Sequence, residues 1–368
     1  MLNVDTTPQY LIDRGLLSVD SILDGDLIVS SAMRRNRNVR VKRQRDVSYL
    51  LKQPDAPGAG GEITLRNEAA FYAWIHESPA AEPMRELVPR LRLFDPERSL
   101  VVLELIEDAQ PLWGHYSAHD GQPFPTAGAR AAGRAIGRLH RTLANATGEL
   151  PWLSKLPPWI MRVHKPSPDL LASLTPANAE TIRILQTQEQ LSLHLDALRR
   201  QWQPSTVTHN DIKSDNILVL AREEGVVEAR LVDWELVAAG DPAWDVAGML
   251  QDFILFWISA MPLAGMGVPP ATMVASARYK LTDLHPAIRA FWSGYANELG
   301  AAEAAALAVR AVAFSAARLI QSAYEIGAVG GSLNPVAVLL LQISANVLRD
   351  PARARMELYG LIPTGVTS

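Results

Sequence analysis

The stretch Val207-Thr208-His209-Asn210-Asp211-Ile212-Lys213-Ser214-Asp215-Asn216-Ile217-Leu218-Val219 decides the reading of this chain. It has the form H-x-D-x-K-x-x-N and runs straight into an apolar strand. After a Glu-Glu-Gly hairpin, a second strand carries Leu231-Val232-Asp233-Trp234-Glu235. Two carboxylates and an amide therefore arrive from adjacent loop and strand ends. Phosphoryl transfer needs such a set. One carboxylate orients the attacking hydroxyl and takes its proton, a second holds the magnesium that bridges the nucleotide phosphates, and an Asn amide adds a neutral metal ligand. The transition state is loose, so most of the catalysis is positioning and charge neutralisation. A lone H-x-D is an ordinary polar loop. The joint occurrence of His, Asp, Lys, Asn and a second strand ending in Asp is not.

The pattern resembles the catalytic loop and metal-binding turn of the protein-kinase-like fold. With H-x-D in place of H-R-D and Asp-Trp-Glu in place of Asp-Phe-Gly, it is similar to the aminoglycoside phosphotransferase and choline kinase group. Gly240-Asp241-Pro242-Ala243-Trp244-Asp245 strengthens the likeness, since that group commonly has a Gly-Asp-Pro turn and then an Asp at the head of a helix. The resemblance implies Asp211 as catalytic base and Asn216 and Asp233 as ligands of Mg2+. It implies His209 as a structural support of the loop, and Asp245 as its anchor from the next helix. Lys213, two residues after the base, would contact the transferring phosphate.

A kinase-like chain also needs a lysine on the third strand and a glutamate on the following helix, paired so that the lysine meets the α- and β-phosphates of ATP. Lys52, at the end of the strand 47–52, and Glu68, on the helix 62–77, have the required order. By its spacing, that helix puts Leu65, Ala69 and Tyr72 on one face with Glu68 at the edge. The strand Leu100–Glu107 looks like the last strand of the small lobe and the hinge, where the resemblance places the purine against backbone near Glu104 and Ile106. One departure stands out. The family's first hairpin often has glycines that approach the phosphates, whereas here no glycine occurs between Gly25 and Gly58. Instead, residues 34–45 hold seven basic side chains and no acidic one. Their density suggests an anionic contact at Arg34, Arg35 and Arg37; a solvated hairpin tip is the plainer alternative.

The fold expected is α+β and bilobal. Residues 1–106 form a small β-rich, nucleotide-binding lobe. Residues 107–368 form a larger, mainly helical lobe with the catalytic loop and acceptor site. Periodicity and Gly or Pro punctuation predict helices over 8–23, 126–145, 176–202, 243–262, 272–299, 302–327 and 335–359. The length, 368 residues, suits two such lobes. The chain has no cysteine, which excludes disulfides, thiolate metal sites and cysteine nucleophiles and fits a cytoplasmic protein. A net charge of −4 gives no reason to expect nucleic acid or a membrane as partner. No basic segment followed by an apolar run opens the sequence, and the apolar stretches near 253–275 and 336–348 are interrupted or too short to span a bilayer.

Three readings of the reaction follow. The first is an ATP-dependent phosphotransferase acting on a hydroxyl of a small molecule. The second is a Ser/Thr kinase acting on a precursor peptide, as in lanthipeptide-like biosynthesis; the D-x-K-x-x-N form with Lys213 favours it modestly. The third is a pseudokinase serving as a binding module, weakened by the presence of Lys52, Glu68, Asp211, Asn216 and Asp233. Residues 251–368 contain seven acidic and eight basic side chains, so they form no anionic funnel for a polycationic acceptor. The loops at 111–125 (Trp113, His115, Tyr116, His119) and 151–168 (Trp152, Pro157, Pro158, Trp159) are candidates for an acceptor groove or for packing lids.

Overall fold

The alternation Val39-Arg40-Val41-Lys42 is what a half-exposed strand requires, and a strand forms there. The structure, a computed structural model, describes residues 1–33, 37–55, 61–117, 124–222, 225–262, 268–328 and 331–362. Arg34 and Arg35 therefore lie outside the described residues, as does His119. The chain divides into two compact units. The first comprises Met1–Gln110 with Arg230–Val237, the second Pro111–Ala229 with Ala238–Ser368.

In the first unit, helices α1 (Thr7–Asp13) and α2 (Val19–Leu23) precede β1 (Leu27–Met33), β2 (Arg37–Arg43) and β3 (Tyr49–Gln53). Then come α3 (Gly61–Glu77), β4 (Leu91–Asp95) and β5 (Leu100–Glu104). The five strands form one antiparallel sheet in the order β1-β2-β3-β5-β4. Side chains alternate between faces. Val39, Val41, Tyr49, Leu51 and Val102 point to one side, where they bury against Tyr10, Leu11 and Leu17. The single helix expected over 8–23 is broken, because Gly15 turns left-handed at φ 69° and ends α1. Ser18 then caps α2 by accepting the Ser21 N–H. Helix α3 buries Leu65, Ala69 and Tyr72 as the spacing predicts, but Glu68 is not at the edge: it is fully buried with them. Lys52 on β3 is its partner.

The second unit begins in the short strand β6 (Ala109–Pro111) and continues with α4 (Leu112–Ser117) and α5 (Thr126–Thr142). Next come α6 (Pro168–Ala172), α7 (Pro176–Thr187) and α8 (Glu189–Arg200). Strands β7 (Thr206–Thr208), β8 (Ile217–Ala221), β9 (Val227–Leu231, finishing in the first unit) and β10 (Ala238–Gly240) bracket the decisive segment. Helices α9 (Pro242–Ser259), α10 (Pro270–Ala275), α11 (His285–Leu299), α12 (Ala301–Gly327), α13 (Pro335–Arg349) and α14 (Pro351–Glu357) complete it. Where one helix was expected over 176–202, 272–299 and 335–359, the structure has shorter ones, and the last break falls at Pro351, whose ring cannot continue a helix. Helix α5 lies very close to α11: a Cβ at Gly133 would sit 2.0 Å from Phe291 O, and one at Gly294 2.3 Å from Arg130 O. Among the described residues no helix is long and apolar enough to cross a membrane.

The two aromatic loops differ. In the first, Leu112 and Tyr116 are buried in α4, and Tyr116 packs on Phe253 and Phe256 with ring centroids 5.8 and 5.5 Å apart. Helix α4 is therefore a packing element. In the second, Trp152 and Trp159 stay about 40% exposed, and Trp159 meets Tyr324 edge-on at 5.2 Å.

Candidate active site

The segment 209–216 leaves β7 through Asn210, whose φ of 69° is left-handed. Non-glycine residues rarely adopt this conformation unless their surroundings impose it. Here Asp245, in the first turn of α9, imposes it. One carboxylate oxygen accepts the His209 N–H and the other the Asn210 N–H, each at 2.8 Å. Trp244 adds an indole N–H to Asn210 O at 3.3 Å. The His209 ring accepts the Asp211 N–H at 3.4 Å. Helix α9 itself is capped by Asp241, which accepts the Ala243 N–H and pairs with Arg310 at 2.9 Å. It also carries Gly248, where a Cβ would lie 2.4 Å from Ile212 O. The loop backbone rests directly on the helix, and only glycine allows that approach.

Asp245 is wholly buried, which by itself would push its pKa up. The His140 ring, 3.2 Å away, and the backbone N–H of His209 outweigh burial and hold it below the ordinary aspartate value. His140 is fixed in turn by the Tyr295 hydroxyl at 2.9 Å.

The same geometry gathers donors around Asp211. Lys213 Nζ lies 2.7 Å from one carboxylate oxygen. Asn216 Nδ2 lies 3.1 Å from that oxygen and 3.0 Å from Asp211 O. Two further residues that the motif did not point to hold this loop. Arg318, on α12 and only 5% exposed, donates to Ile212 O at 3.2 Å. It comes within 3.8 Å of the other Asp211 oxygen and stacks on Trp244 at 5.3 Å. Asp252, on α9, accepts the Ser214 N–H at 3.0 Å. Burial pushes its pKa up to about 6, against the Ser214 hydrogen bonds. A lone arginine inside the apolar run 311–320 was the available signal for Arg318. Nothing near Asp252 in sequence marked it.

The first unit holds a second cluster. Lys52 Nζ lies 2.7 and 2.8 Å from the two Glu68 oxygens and 2.5 Å from Asp233. Glu68 also accepts the Trp234 N–H at 3.1 Å, and the Trp234 ring packs on Phe71 at 4.5 Å. Asp233 is left-handed, at φ 70°. Burial works against the Lys52 ammonium, but Glu68 and Asp233 outweigh it and keep its pKa above the usual lysine value. Burial is also what raises Glu68, against the pull of Lys52. Two carboxylates thus share one ammonium, which is why Glu68 is buried rather than at the helix edge.

Glu104 ends β5. Its N–H donates to Arg90 O at 2.8 Å and its carboxylate pairs with Arg92 at 2.7 Å. Ile106 is half-buried in the connection beyond. Arg37 pairs with Asp55 at 3.3 Å.

Residues 30–268 match the model of the phosphotransferase enzyme family. The chain belongs to this family. Solved structures agree on the fold of this phosphotransferase family member. Choline kinase from Cryptosporidium parvum Iowa II superposes with a TM-score of 0.57 at 13% identity, over 98% of each chain. Plasmodium vivax ethanolamine kinase gives 0.56 at 11% identity, over 94% of this chain and 89% of its own. The GDP complex of an aminoglycoside 2'-phosphotransferase gives 0.53 at 10% identity, over 97% of this chain and all of its own. At these identities the likeness shows the fold, which is protein-kinase-like with a small β-sheet part and a larger helical part. No curated protein sequence matches the chain.

Proposed function

We propose that this phosphotransferase family member moves the γ-phosphate of ATP to a hydroxyl group of a small molecule. The observation that carries the reading is the donor-rich setting of Asp211. Its carboxylate is oriented by Lys213 and Asn216 on a loop whose backbone is clamped by Asp245, Asp252 and Arg318. Asp211 accepts the proton of the acceptor hydroxyl as the oxygen attacks phosphorus. Lys213, two-fifths exposed, neutralises charge on the phosphoryl oxygens. Lys52, aligned by Glu68, meets the phosphates of the bound nucleotide. The purine edge lies against the backbone at Glu104 and Ile106. His209 and Asp245 support the loop and do not touch the reacting atoms.

The donor types suit magnesium, which takes hard oxygen ligands, keeps several waters and leans on the nucleotide phosphates. Asn216 has its amide nitrogen committed to Asp211, which leaves its amide oxygen as the donor, and Asp233 adds a carboxylate. Among the described residues no group of three or more His, Cys, Asp or Glu forms a dedicated cage. Asn216 and Asp233 would hold the ion, which when bound would supply neutralisation of phosphate charge.

The test is mass spectrometry for a gain of about 80 Da, one phosphate, on a panel of amino alcohols, sugars and peptides with Mg·ATP. Gain on a small molecule that disappears in Asp211→Asn supports the reading. Gain on peptides alone replaces it with a precursor-peptide kinase. Absence of Mg·ATP binding by calorimetry replaces it with a binding module.

A further inference from the structure

The glycine-free hairpin raises the question of what meets the nucleotide phosphates in place of backbone N–H groups, and the sheet register answers it. In an antiparallel pair, directly opposed residues share a face. Lys52 is opposed by Asn38 on β2 and by Val101 on β5. Arg40 is opposed by Leu50 on β3 and by Ser30 on β1, and Lys42 by Ile28. Period two then puts Asn38, Arg40 and Lys42 on the face that carries Lys52. At about 4.8 Å between strands and about 3.4 Å per residue, the Arg40 backbone lies about 8 Å from that of Lys52, within reach of an arginine side chain.

Two observations separate these residues from an ordinary solvated strand. First, the hairpin's other described cations are paired. Arg37 meets Asp55, Arg43 meets Asp26 and Asp46, and Arg45 meets Asp24. Arg40 and Lys42 are exposed and take no side-chain hydrogen bond or ion pair among the described residues. They sit on an interior strand, so they are not there to guard a sheet edge. Second, Asn38 leaves its carboxamide oxygen buried and without a partner. A buried orphan next to Lys52 marks a place where a ligand or its water completes the hydrogen bonding.

We propose that Arg40, supported by Asn38, binds the phosphates of the nucleotide, doing with side chains what a glycine-lined turn does with backbone N–H groups. The inference rests on the nucleotide-dependent reading above and assigns it a second cationic contact beside Lys52. A guanidinium suits the task because its planar fork pairs with phosphate oxygens.

Calorimetry on the full chain tests it, with Mg·ATP and adenosine as separate probes. Arg40→Ala is expected to weaken Mg·ATP about tenfold or more and to leave adenosine within about twofold, while Arg40→Lys recovers only part of the loss, because it keeps the charge and loses the planar fork. Lys42→Ala, at a residue whose backbone lies about 14 Å from that of Lys52, and Arg45→Ala, a paired cation of the same hairpin, change neither probe. The wild type should also lose Mg·ATP affinity more steeply with added salt than Arg40→Ala. Thermal melts matching the wild type confirm folding of these surface variants. If Arg40→Ala binds Mg·ATP as the wild type does, the inference falls and the phosphotransferase reading stands. If adenosine weakens as much as Mg·ATP, Arg40 meets the base and the inference falls. If the wild type binds no Mg·ATP, both fall.

Discussion

The Lys52 cluster of the first unit and the Asp211 loop of the second solve opposite electrostatic problems. In the first, two carboxylates compete for one buried ammonium. In the second, one carboxylate is faced by a lysine, an amide and a guanidinium. The first is short of positive charge and suits an added cation. The second has cations to spare and suits an added anion, such as a phosphoryl group in transfer. They also differ in how sequence builds them. Asp211, Lys213 and Asn216 come from one short loop. Lys52, Glu68 and Asp233 come from a strand, a helix and a turn far apart in the chain.

The largest effect should come from Asp211→Asn, which keeps the shape and removes the proposed base. Loss of general base catalysis lowers kcat by about a hundred- to ten-thousand-fold, with Mg·ATP affinity held within a few fold. Steady-state kinetics and calorimetry on the same preparation check this. Equal loss of binding would show that the two clusters are not separate devices. Next is Lys52→Met. It strands Glu68 and Asp233, and breaking one side of a buried ion pair costs about 3–5 kcal/mol, read by chemical denaturation. Glu68→Gln should cost much less, because Lys52 keeps Asp233. If the two variants were equally destabilised, the shared-ammonium description would be wrong.

The contrast in construction also explains what was legible in the sequence. The polar cluster of 209–216 could be read directly because its residue spacing is local, and the contact of Asp245 with that loop could be read because Asp245 follows a recognisable turn. Lys52 and Glu68 needed the order of a family pattern, since a strand lysine and a helix glutamate look like surface residues alone. Burial at Glu68 was hidden because periodicity sees its apolar neighbours, not the ammonium that lets a carboxylate join them. Arg318 and Asp252 escaped because they reach the loop across the fold, from α12 and α9, and a sequence window holds neither partner. The helix breaks at Gly15 and Pro351 were visible residue by residue, but apolar spacing carried across them.

Arg318→Ala sharpens the comparison by removing a cation from the donor-rich cluster. It deletes a hydrogen bond to Ile212 O from a charged donor, a contribution of about 1.5–3 kcal/mol. The loop should loosen, with kcat falling about tenfold and KM for ATP unchanged. Arg318→Lys restores charge but not the stack on Trp244, so recovery is partial. A change confined to KM for ATP would place Arg318 with the nucleotide instead.

The smallest effect tests whether donor number decides the charge of a buried carboxylate, using two positions on one helix. Asp245 meets His140 and two backbone N–H groups, and its pKa lies below the ordinary value. A depressed folded-state pKa adds stability above the unfolded pKa, lost as pH falls through the folded value. Asp245→Asn should therefore cost about 2 kcal/mol near neutral pH, and less in acid. Asp252 meets Ser214, and its pKa stands at about 6. A raised folded-state pKa means the favourable contribution is present below the unfolded aspartate value, about 4, and is lost as pH rises through about 6. A shift of about two units is a charging cost of about 3 kcal/mol by pH 8, against which the bond to Ser214 returns part. Asp252→Asn keeps an acceptor and avoids the cost, so it should be stabilised by about 1 kcal/mol at pH 8, with the gain gone near pH 4. Denaturation curves at pH 4, 6 and 8 decide this. If both variants were stabilised alike at pH 8, burial alone and not the donor set would govern these carboxylates.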